Sequence, residues 1–191
     1  MVAITGAGGE QGKATASALA ERGASVALGD LHYARAERVA SAINHTITLD
    51  GGGLAVALGL DVRDRGAFRR FLDEVRSDLG PVDVVVNHVL AGVSTSLELA
   101  ACAMAPGGHV VAVGVGAESE RMTEVARPAA AGGIAFTGVI ARAEPPVAPD
   151  RIAAGVVNGI RTRPGVVRVP RHGHVLRRRL NSALPAGRRG H

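Results

Sequence analysis

The residues with the clearest chemical potential stand at the start of the chain. Val2 to Thr5 is an apolar run that breaks into Gly6, Gly8, Gly9 and Gly12 and then into a helix-forming stretch from Lys13. A strand turning on glycines into a helix N-terminus presents free backbone N–H groups and the positive end of a helix dipole, a junction that holds a pyrophosphate. A second apolar run, Ala24 to Gly29, ends in Asp30, eighteen residues beyond Gly12. At that spacing a carboxylate accepts hydrogen bonds from ribose hydroxyls and repels a 2′-phosphate, which points to NAD rather than NADP. The plain alternative is that the glycines make an ordinary turn and Asp30 caps a helix starting near Tyr33.

Other reactive groups are sparse. Cys102 is the only cysteine, so neither an internal disulfide nor a cysteine-based zinc cluster is expected. His172 and His174 lack a third ligand, and no metal site is expected. Arginine outnumbers lysine 21 to one, and the charge is unevenly divided: residues 1–150 carry net −5 and residues 151–191 net +10. Aromatics make up 2% of the chain, which argues against a base-stacking platform, so nucleic acid is not an expected partner. The arginine-rich segment 171–191 has Val175, Leu176, Leu180 and Leu184 beside Arg177 to Arg179 and reads as a basic helical tail. A solvated helix is the simplest reading, with an anionic membrane surface or a phosphate backbone as alternatives.

The elements that must position these groups alternate strand and helix. Apolar residues recur at helical spacing over 13–22, 34–43 and 68–79, and apolar strand-like runs end at Asp30, Leu60 and Asn87. The run Val82 to Asn87 is nearly continuous in apolar residues, as a parallel strand covered on both faces must be. Short helices are expected near 96–104 and 118–131, strands over 106–114, 134–140 and 166–170, and a helix over 150–161. At 191 residues, 47% of them apolar, the chain suits one domain over 1–170, a three-layer αβα Rossmann-type fold with a doubly wound parallel sheet in the order 3-2-1-4-5-6-7. No apolar run reaches the length of a membrane span, no basic leader precedes the first strand, and a cytoplasmic location is the expectation.

The order of elements and the residues at their ends resemble the short-chain dehydrogenase/reductase family. The resemblance runs through Thr5-Gly6-x-x-x-Glu10-x-Gly12, Asp30, Asp61-Val62 and Asn87-His88-Val89. There the family shows Thr-Gly-x-x-x-Gly-x-Gly, an acid, Asp-Val and Asn-Asn-Ala-Gly. It implies that Gly6 and Gly12, with Gly8 and Gly9 between them, shape a phosphate turn and that Asp30 holds a ribose. It further implies that Asp61 and Val62 flank an adenine and that Asn87 lies beside the cofactor, NAD.

Two departures fall inside these motifs. Glu10 replaces the middle glycine and sets a carboxylate near the phosphate turn, and His88 replaces the second asparagine. A lone histidine at a strand end reads as a hydrogen-bonded structural residue. The family's catalytic segment is missing: Val113-Gly114-Val115 stands where a serine is expected, and no Tyr-x-x-x-Lys follows. The only tyrosine is Tyr33 and the only lysine Lys13, both in the first two helices. Hydride transfer to a carbonyl needs a proton delivered to the developing alkoxide, so no catalytic residue is assigned and turnover is expected to be weak or nil. The resemblance implies an oxidoreductase acting on an alcohol or ketone of unspecified identity. The alternative is a catalytically inactive NAD(H) sensor or scaffold, with oligomeric state left open.

Overall fold

A computed structural model describes residues 1–47, 53–88, 98–100, 104–115, 133–142 and 144–169, together with the strand 176–178. Within these residues the chain forms β1 (Val2–Thr5), α1 (Glu10–Ala20), β2 (Val26–Asp30), α2 (Tyr33–Ile47), β3 (Ala55–Gly59) and α3 (Arg65–Leu79). It continues through β4 (Val84–Asn87), β5 (His109–Val115), β6 (Ala135–Ala141), α4 (Pro149–Thr162), β7 (Val166–Val169) and β8 (Leu176–Arg178). Of the helices expected near 96–104 and 118–131, only 98–100 and 104 are among the described residues, and 98–100 is helical; the rest of both lies outside them.

The sheet runs β3-β2-β1-β4-β5-β6-β7-β8. Its first seven strands are parallel in the expected order, so Val2 pairs with both Val26 and Val84 and Thr5 with both Gly29 and Asn87. Strand residues alternate between two apolar layers, as a pleat with helices on both faces requires. Ile4, Leu28, Val86, Val113 and Val167 face the layer built with α1, α2 and α4. Ala3, Ala27, Val85 and Val110 face the layer that holds Phe68, Phe71, Leu72 and Val75 of α3 and Leu99.

Three boundaries differ from expectation, each for a local reason. Helix α1 starts at Glu10, one turn earlier than its apolar pattern, because Gly9 in extended conformation already acts as its N-cap. Helix α2 runs to Ile47 instead of stopping at Ile43. Asn44 donates to the Ala55 carbonyl at 2.8 Å and accepts from the Ala55 N–H at 2.9 Å, tying the helix end to β3. The expected helical tail is corrected over Leu176–Arg178, which adds to β7 as an antiparallel strand with Arg168 opposite Leu176 and Val166 opposite Arg178. An edge strand offers a row of unpaired N–H and C=O groups, and a returning segment satisfies them best in extended form. The remainder of 171–191 lies outside the described residues. No described helix is long and apolar enough to cross a membrane.

Candidate functional site

Strand order reverses between β1 and β4, so connections leave the carboxyl ends of these two strands toward opposite faces and open a crevice there. The chain enters it at Gly6, whose φ of 66° is a left-handed conformation that costs glycine little. The turn is pinned by the Ala7 N–H donating to Gly29 O at 3.2 Å and the Gly9 N–H donating to Gly6 O at 3.3 Å. A Cβ at Gly12 would lie 2.3 Å from Gly6 O and 2.7 Å from the Ala7 Cα, so only glycine lets α1 start this close to the turn. Gly9 brings no side chain to cap the helix, which leaves the first amides of α1 facing the crevice.

Asp30 is tied to the same turn. Its Oδ2 accepts from the Gly8 N–H at 2.9 Å and its Oδ1 from the His32 N–H at 2.9 Å. A side chain at Gly8 would collide with the Asp30 carboxylate and the Arg35 Cβ. Thus the geometry brings Gly6, Gly8, Gly9, Gly12 and Asp30 together at the end of β1 and β2. Arg35, and the 57% exposed Leu31 beside Asp30, complete this surface. Neither stands out in the sequence, since an Arg at a helix start and a Leu after a strand are ordinary there.

Asp61 lies next to this surface, because the Leu60 N–H donates to Asp30 O at 2.9 Å. Arg63 grips Asp61 through Nε at 2.9 Å and Nη2 at 2.7 Å, and this hydrogen-bonded pairing lowers the carboxyl pKa to about 2. Val62 is 6% exposed and its side chain belongs to the α3 layer, so it offers the crevice backbone rather than an apolar face. Asn87 is buried at the end of β4 and its Oδ1 accepts from the Thr5 hydroxyl at 2.8 Å.

His88, expected to be hydrogen-bonded, has neither ring nitrogen paired among the described residues. Both are shielded from solvent, and burial pushes its pKa down to about 4. Tyr33 starts α2, half-exposed, and its hydroxyl donates to Glu37 at 2.7 Å, a bond to a carboxylate that raises its pKa. Lys13 and Glu10 line a groove of about 940 Å³ between α1 and α4, outside the crevice, and this groove is the space left between small residues such as Ala14, Ala18 and Ala154. Among the described residues no cluster of three His, Cys, Asp or Glu could hold a metal ion.

With that geometry in hand, comparisons with known proteins are informative. The family model described as short chain dehydrogenase matches residues 1–104. The uncharacterized oxidoreductase YxbG of Bacillus subtilis is 36% identical over 85 residues, 44% of this chain and 29% of that protein. The match therefore spans less than a third of that relative's length. Among solved structures, a metagenomic short-chain oxidoreductase in complex with NADP superposes with a TM-score of 0.66 at 21% identity, covering 89% of this chain and 97% of that one. A proposed D-mannonate oxidoreductase from Haemophilus influenza with bound NAD superposes with a TM-score of 0.58 at 18% identity, covering 74% of this chain and 70% of that one. At these identities the structural likeness establishes the fold.

Proposed function

This chain belongs to the short-chain dehydrogenase family, and from that premise we propose that it binds NAD(H) in the crevice between β1 and β4 as an oxidoreductase-type protein with weak or no hydride transfer. The observation that carries the reading is the Asp30 carboxylate, held at the end of β2 by the Gly8 and His32 amides beside a helix N-terminus without a side-chain cap. The residues fit the cofactor. Free amides of α1 suit a pyrophosphate, and Asp30, with lone pairs left after two amide bonds, suits ribose hydroxyls while opposing a 2′-phosphate. Glu10 lines the groove toward α4 and is exposed, which moderates its repulsion of a phosphate. Asp61, the Val62 backbone and Asn87 would complete the adenosine side and the crevice floor.

NAD supplies a hydride acceptor when bound; the chain's own residues bind and orient. The sequence has no Tyr-x-x-x-Lys to act as the acid. Tyr33 is engaged with Glu37 at the start of α2, and Lys13 faces the groove with α4, so neither can move a proton at the carboxyl end of β5. This favours the second reading, an NAD(H)-binding sensor or scaffold, over an efficient dehydrogenase.

The test is NADH and NADPH binding to wild type and Asp30→Ala. Tighter binding of NADH than NADPH, and a loss of about tenfold or more in the variant, is expected from charge-assisted hydrogen bonds. Unchanged NADH affinity in Asp30→Ala removes the cofactor reading. Oxidation of an alcohol at an ordinary dehydrogenase rate of about 10 per second would overturn the claim of weak turnover.

A further inference from the structure

Among the described residues of the crevice, His88 has surroundings that a ribose- and phosphate-binding role for its neighbours leaves unexplained. Buried imidazoles are ordinarily hydrogen-bonded, because a polar atom taken out of water without a partner loses its hydration uncompensated. Here both Nδ1 and Nε2 are shielded and have no partner among the described residues. The backbone says where the ring lies. The His88 N–H donates to Thr5 O at 3.3 Å, extending the β1–β4 ladder by one residue. Val84 and Val86 point into the layer that contains Ala7 of the phosphate turn and Ala16 of α1. His88 is next on that face, whereas Asn87 and Thr5 bond on the other. Continued one residue past the strand, this alternation sets His88 on the face of the sheet that carries the turn, whose helix amides lack a side-chain cap.

Two features of this turn call for a donor. The middle glycine of the phosphate motif is replaced by Glu10, whose carboxylate lines the groove toward α4, and Lys13, the only lysine, lines the same groove, so α1 brings no cationic side chain to the turn. Among the ionisable groups at this end of the sheet, β1 and β5 contribute none. Asp30 ends β2 and is bonded to the turn itself, with His32, Arg35, Asp61 and Arg63 beyond it; helix α1 contributes Glu10 and Lys13, the segment before α4 Arg142 and Glu144, and the first turn of α4 Asp150. None of them figures among the causes that keep His88 neutral, which are burial alone.

Resting on the dinucleotide reading, we propose that His88 is a positioning residue for the cofactor: it takes up a proton on binding and holds the pyrophosphate opposite the α1 amides. The phosphate supplies both the acceptor and the opposite charge that the ligand-free site lacks. The proton comes from solvent and no covalent bond changes.

Calorimetric titration of NADH into the protein at pH 6, in two buffers of different ionisation enthalpy, counts the protons taken up. Uptake of roughly half a proton or more is expected, and affinity should fall several-fold as pH rises from 5.5 to 7.5. ADP-ribose, which keeps the pyrophosphate and lacks nicotinamide, should show the same uptake. His32→Asn, at the adenosine end, should retain it. His88→Asn, which restores the family's residue, should bind NADH about tenfold more weakly with no uptake. Binding by wild type without proton uptake, uptake that persists in His88→Asn, or uptake lost in His32→Asn overturns the proposal while leaving the cofactor reading intact. If His88→Asn does not fold, the wild-type count and His32→Asn decide. Failure of wild type to bind NADH at all overturns both.

Discussion

Replacing His109 tests how burial shapes this fold at the end of the sheet opposite the crevice. His109 begins β5, is fully buried, and places Nε2 2.9 Å from the Thr137 hydroxyl. That hydroxyl donates to Pro164 O at 2.6 Å, so its proton is committed and the imidazole must donate from Nε2. Nδ1 is then an unprotonated nitrogen, and it has no partner among the described residues. Protonating it would bury both a charge and an orphan donor. Burial, with the Arg163 guanidinium as a second cause, lowers the His109 pKa from 6.5 to about 4. Because the folded value lies below the unfolded one, the unfolded chain binds the extra proton. The stability contribution is therefore complete above pH 6.5 and is lost as pH falls toward 4. Integrating that shift between pH 7 and pH 5 gives a loss of about 2 kcal/mol from this one residue. His109→Gln keeps an amide donor near the Nε2 position and cannot be protonated. Urea unfolding followed by circular dichroism at pH 7, 6 and 5 should show the variant within about 1 kcal/mol of wild type at pH 7. It should also lose about 2 kcal/mol less than wild type on acidification. His88, likewise held at about 4, adds a parallel loss that both proteins share. A variant that tracks wild type with a constant offset at every pH would refute the assignment of a neutral, Nε2-protonated imidazole.

Further outcomes follow from the crevice itself. Gly12→Ala forces a methyl to 2.3 Å from Gly6 O, so a stability loss of about 1–3 kcal/mol in urea unfolding is expected, together with loss of NADH binding. Thr5→Val keeps the shape but removes a hydroxyl donor to the buried Asn87 Oδ1, and denaturation should register a loss of about 0.5–1.5 kcal/mol. Arg63→Ala should let the Asp61 pKa rise from about 2 toward its ordinary value of 3.8, measured by NMR titration of the side-chain carboxyl. A carboxyl that stays near 2 in that variant would show that Arg63 is not what holds it there.

Sequence pattern disclosed the sheet because each parallel strand is a nearly pure apolar run, and Asp30 and Asn87 are legible as the polar residues that end two of them. What a residue bonds to was less legible than where it stands. Asp30 reads as a ribose ligand, yet the fold also uses it to pin Gly8, a bond between residues 22 apart that spacing does not reveal. Val62 reads as an adenine contact, but its side chain is committed to the α3 layer, since apolar identity alone does not separate core from ligand surface. The tail shows the opposite failure: Val175, Leu176 and Leu180 around Arg177 to Arg179 follow neither period cleanly, and the unpaired edge of β7 decides for a strand at Leu176–Arg178.

The two histidines with shielded ring nitrogens show why the site could be located but not understood from residue types. His88 and His109 share a residue type, a strand-end position and a pKa lowered to about 4. His109, at the amino end of β5, bonds Thr137 through Nε2, so its burial is offset at that nitrogen and its effect is on stability. His88, at the carboxyl end of β4, finds no such partner among the described residues, so its burial cost is left standing at the crevice. Unpaired polar atoms at the end of the sheet where the strand order reverses are ones that a ligand can satisfy with gain, whereas His109 Nδ1, buried at the opposite end, lies away from that crevice. It follows that occupying the crevice should narrow the acid sensitivity contributed by His88 while leaving that of His109 unchanged. Comparing the pH dependence of unfolding in His109→Gln with and without saturating NADH would separate the two, and an identical pH slope in both conditions would contradict the distinction.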